Sequence, residues 1–99
     1  MPQDIDDKFY ARADEHITLS NEQLKSISRD KVSASMMYSL VRFNAWNSAC
    51  GFENSKQMAD YRQETIDFHM NEYRKMLEEN LDDYIEHFSK YMAVPAKTA

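Results

Sequence analysis

Residues 32–50 read VSASMMYSLVRFNAWNSAC, and the reading of this stretch decides the fold. Arg42 is its only charged residue. On a wheel of 100° per residue, Val32, Met36, Leu40, Phe43 and Cys50 fall in one sector. Ala34, Met37, Tyr38, Val41, Ala45 and Ala49 fall in another, roughly opposite. A helix that is apolar on two sides is sandwiched between neighbours. The segment therefore predicts a second helix, about 30–50, at the centre of a small bundle of three or four helices. Ser28 or Asp30 can cap its first free N–H groups, and Gly51 can stop it in a left-handed conformation.

Working outward, the flanking segments also read as helices. From Asp4 to Gln23, Ile5, Phe9, Ala13 and Ile17 recur at steps of four, which makes one helical face. Asp4, Asp6 and Asp7 suit the positive end of that helix's dipole. On the other side Ser55 reads as an N-cap, and Met58, Tyr61, Thr65 and Phe68 mark a face. Helical character continues through Leu81, Tyr84, Ile85, Phe88 and Met92, with no Gly or Pro before Pro95. One continuous helix there is about 57 Å long. Its later apolar residues lie about 100° round from the earlier ones, so a break near Asn80 is expected, with Asn80 capping and Asp83 at N3. Residues 4–92 are expected to be ordered and 93–99 to form a flexible tail.

Composition supports the same class. With one Gly and two Pro in 99 residues, the tight turns of an all-β domain have little to build on. The fold class is all-α, in a single domain over 1–99. A lone cysteine excludes a disulfide scaffold. No apolar run approaches the ~20 residues of a membrane span, and Met1-Pro2-Gln3-Asp4 lacks secretory character. A cytoplasmic location is expected.

The net charge of −5 argues against nucleic acid and anionic membranes as partners. That charge is unevenly spread. Residues 25–50 carry Lys25, Arg29, Lys31 and Arg42 against Asp30 alone, whereas 76–89 hold Glu78, Glu79, Asp82, Asp83 and Glu86.

No constellation of catalytic residues is legible, so no enzyme activity, cofactor or metal is expected. Metal pairs on helices need ligands at i and i+3 or i+4. His69 has Glu72 and His87 has Asp83 at such spacings, which is one carboxylate each. Cys50 reads as a buried packing thiol at the end of an apolar helix. Arg42, Asn44, Trp46 and Asn47, on the otherwise uncharged stretch of the central helix, are the candidate contacts for a ligand or a partner. Leu81, Tyr84, Ile85, Phe88 and Met92 are the candidate self-association stripe, because a small monomer has little with which to cover them. The expected function is a non-catalytic protein–protein interaction module that self-associates, for example as a homodimer. The alternative is a small-ligand or metal-binding helical bundle.

Four strings carry a resemblance: Phe9-x-x-x-Ala13-Asp14, Val32-Ser33-Ala34, Arg42-Phe43-Asn44-Ala45, and the run from Tyr73 to Ile85. Taken in order, they make the chain similar to a family of short proteobacterial proteins known as domain of unknown function 3144, over roughly residues 9–91. The resemblance implies a small cytoplasmic bacterial protein without an assigned activity. It brings no catalytic residue to carry over.

Overall fold

The computed structural model describes residues 5–93, and among them every regular element is α-helical. In chain order these are α1 (Phe9–Gln23), α2 (Arg29–Ala49), α3 (Ser55–Asp60), α4 (Arg62–Glu86) and α5 (Phe88–Tyr91). Asp4 and the tail beyond Ala93 lie outside the described residues. The chain divides into two compact units whose described parts are residues 5–62 and 63–93.

In the first unit α1 begins later than its apolar spacing suggests. Asp6 closes a turn ahead of the helix: its carboxylate accepts from the Lys8 N–H at 2.8 Å and from the Arg12 guanidinium at 2.9 Å. The acid expected in the first helical turn is thus used just before it, and that turn itself contains none. α2 starts where expected, with the Ser28 hydroxyl accepting from the Lys31 N–H at 3.3 Å. Its end differs from expectation. Gly51 is not left-handed. Instead the last turn tightens, Gly51 N–H donating to the Ser48 carbonyl at 3.0 Å and Phe52 N–H to the Ala49 carbonyl at 3.1 Å. Three-residue closures of this kind satisfy terminal carbonyls without a positive φ.

Asn54, one residue earlier than the expected Ser55, caps α3. Its side chain accepts from the Gln57 N–H at 2.8 Å, and Gln57 reaches back to accept from the Glu53 N–H at 2.7 Å. This reciprocal pair is close to a capping box. The rings of Phe52 and Tyr61 stack 5.8 Å apart across α3, and Tyr61 (φ −103°, ψ 13°) separates α3 from α4.

α1 packs on α2, with the Ser20 hydroxyl 4.0 Å from the Met36 sulfur. Val32, 5% exposed, is the only buried residue among those described. The expectation that α2 is wrapped on both flanks is therefore corrected for the single chain. Met37, Tyr38, Val41, Phe43 and Trp46 are exposed, because α1 is short and covers only the flank that carries Val32 and Met36. Cys50 is exposed too, not buried.

The second unit also departs from expectation. No break occurs at Asn80. Its amide donates to the Met76 carbonyl at 2.8 Å, from within the helix instead of capping a new one. The interruption falls at His87 (φ −113°, ψ 28°). There the backbone ladder is bent but not lost: His87 N–H donates to the Asp83 carbonyl and Tyr91 N–H to the His87 carbonyl, both at 3.0 Å.

Candidate interaction surface

Arg42 and Trp46 lie one turn apart on α2, and both are exposed. The indole ring meets Phe43 at 5.4 Å and 45°, forming an aromatic pair open to solvent. Asn44 is half-buried on the other side and Asn47 is exposed. These four side chains do not converge on one point, and Arg42 makes no ion pair among the described residues. They are spread around an exposed helix.

The stripe on α4 and α5 is more coherent. Leu81, Tyr84, Ile85, Phe88 and Met92 are all exposed, Ile85 at 73% and Phe88 at 62%. Leu77, already part of the helical stripe in the sequence, extends it, as do Met70 and Tyr91, which the sequence did not single out; all three are exposed. Met70, Arg74, Leu77, Leu81, Tyr84, Phe88 and Tyr91 follow one another at steps of 4, 3, 4, 3, 4 and 3. That alternation is a heptad seam. Thr65 and Phe68 of the earlier stripe lie off this seam, so the change of phase in the sequence is real and the seam begins after it.

Local contacts shape this seam. Tyr91 folds back so that its ring lies 4.9 Å from that of Tyr84, and its hydroxyl donates to the Asp83 carboxylate at 3.3 Å. That bond to Asp83 raises the Tyr91 pKa above its ordinary value. Arg74 lies 3.9 Å from Glu78, and a groove of about 540 Å³ runs along the helix past Met70, Arg74, Leu77 and Leu81. The opposite face differs. Thr65, His69, Glu72 and Met76 are half-buried.

The histidines have local partners. His69 Nδ1 lies 3.0 Å from the Thr65 carbonyl, and His87 Nδ1 lies 3.2 Å from both the carbonyl and the carboxylate of Asp83. A carbonyl only accepts, so each of these bonds places the proton on Nδ1. Among the described residues no group of three or more His, Cys, Asp or Glu is placed to hold a metal ion, and no helix is long and apolar enough to cross a membrane.

Fold and surface together define a class: an all-α protein whose large apolar side chains face outward along its longest helices. The particular family follows from sequence. The chain belongs to the family described as Protein of unknown function (DUF3144), whose model matches residues 9–85. It is similar to a solved structure, the NMR structure of the protein NB7890A from Shewanella sp., at 43% identity. That similarity has a TM-score of 0.75 and covers 92% of this chain and 97% of the other. No curated protein matches the chain.

Proposed function

We propose that this chain is a non-catalytic protein–protein interaction module that self-associates, two copies completing a helical bundle that one copy leaves open. The observation that carries this reading is the contrast between Val32, the single buried residue among those described, and the large apolar side chains exposed on α2 and, separately, on α4. Soluble monomers rarely expose contiguous apolar patches of more than a few hundred Å². Helices in water owe most of their stability to packing an apolar face. A second copy supplies that packing with the same surfaces, in a closed two-fold arrangement.

The non-catalytic part of the reading is supported by how the polar groups are used: His69 and His87 are engaged by carbonyls of their own helix. The exposed thiol of Cys50 fits a reducing compartment, hence the cytoplasm. Light scattering across a dilution series tests the proposal. The expected result is a mass of twice 11.7 kDa at high concentration, falling on dilution. A monomer mass at every concentration overturns it.

A further inference from the structure

The seam on α4 and α5 specifies more than stickiness. A 3.5-residue spacing from Met70 to Phe88, carried past the bend at His87 by the backbone ladder, suits another helix and little else, since only a helix presents holes at the same interval. Assigning Arg74, Leu81 and Phe88 to position a and Met70, Leu77 and Tyr84 to position d puts Glu79, Asp82, Asp83 and Glu86 at b, c and f, away from the seam. The acidic run therefore does not oppose pairing of two identical helices. The flanking e and g positions hold Asn71, Tyr73, Glu78, Asn80, Ile85 and His87, with one acid among them. The half-buried residues of α4 (Thr65, His69, Glu72, Met76) lie at c and f, whereas Met70, Leu77, Leu81, Tyr84 and Phe88 of the seam are exposed.

Resting on the self-association argued above, we propose that the seam pairs with the same seam of a second copy as an antiparallel two-stranded coiled coil. In the register that engages every position from Met70 to Phe88, Leu77 faces the partner's Leu81, Arg74 faces the partner's Tyr84, and Met70 faces the partner's Phe88. Each layer is chemically matched: leucines at the centre, a guanidinium against an aromatic face, then a thioether against a ring. A parallel pair stacks Arg74 on the partner's Arg74 within the seam, and like charges there disfavour it. Five of the six seam side chains are large apolar groups 42–62% exposed, surface that a partner's seam removes from water. The antiparallel register also brings Glu78 near the partner's Glu78 across the two-fold axis, each beside its own Arg74 at 3.9 Å.

The test uses the full chain in a Cys50→Ser background. Met70→Cys and Phe88→Cys chains are mixed, oxidised and resolved by mass. The antiparallel pair forms mixed 70–88 disulfides, because only those α-carbons come within the ~7 Å that a disulfide spans. Cross-links of 70 to 70 and 88 to 88 overturn the antiparallel arrangement. A dimer that forms no cross-link places association on another face; this defeats the present inference and leaves the function proposed above standing. A monomer defeats both. As a second readout, Leu81→Glu is expected to weaken the dimer on the order of a hundredfold, with circular dichroism checking that helicity persists. Glu78→Gln, by contrast, tightens it roughly two- to fivefold. Weakening by Glu78→Gln contradicts the register, since the loss of a helix-local ion pair alone moves affinity that way.

Discussion

Gly51 illustrates how a residue's chemistry and its conformation can part ways. Glycine after a helix suggests a left-handed stop, yet here φ is not positive. A Cβ added at Gly51 meets only the Ser48 carbonyl oxygen at 3.4 Å, an ordinary contact. Gly51→Ala is therefore expected to stabilise the protein by about 0.4–1 kcal/mol, by narrowing the unfolded ensemble. Urea denaturation checks this, and destabilisation points to a left-handed residue after all. Asn54 carries the opposite expectation. Asn54→Ala removes the acceptor for the Gln57 N–H and should destabilise by about 1 kcal/mol in the same assay.

Two titrations belong to this scale as well. The Arg12 guanidinium, followed by the Lys8 N–H, holds the Asp6 carboxyl below the ordinary value. The contribution of that turn is present above the usual aspartate range near 3.9 and is lost as pH falls through the lowered value. Tyr91 runs the other way. Its donation to Asp83 contributes below the ordinary tyrosine value near 10 and is lost as pH rises through the raised one. NMR titration of both side chains should give midpoints displaced in these opposite directions, and undisplaced midpoints mean that neither bond persists in solution.

At the scale of elements, sequence periodicity located the helices well and their interruptions poorly. The caps at Ser28 and near Asn54 were legible because Ser and Asn carry acceptors suited to the first free N–H groups. Asn80-Leu81-Asp82-Asp83 has the same chemistry, yet it stays inside α4, since the Asn80 amide serves the Met76 carbonyl equally well. Nothing in the residue types separates those outcomes; the unbroken ladder does. Asp82→Pro discriminates them. Inside a continuous α4 it costs about 3 kcal/mol or more, whereas in the first turn of a new helix proline is tolerated. A variant that keeps its helicity and urea midpoint contradicts the continuous helix.

For the whole molecule, composition established the all-α class from the scarcity of Gly and Pro. Which apolar residues would be buried was not legible, because periodicity reports that a face is apolar and not whose surface covers it. Val32–Cys50 has two apolar flanks and was read as the middle of a bundle within one chain. The protomer leaves Tyr38, Val41, Phe43 and Trp46 outside instead, and of the candidate sites only the α4–α5 stripe acquired a definite geometry.

The central claim is that the apolar surface exposed by one copy becomes the core of two. The concentration dependence of the unfolding midpoint tests it most directly. If folding and association are linked, each tenfold rise in protein concentration adds about 1.4 kcal/mol to the apparent stability of the dimer, and the midpoint climbs steadily. A midpoint that stays fixed across the same range contradicts the claim.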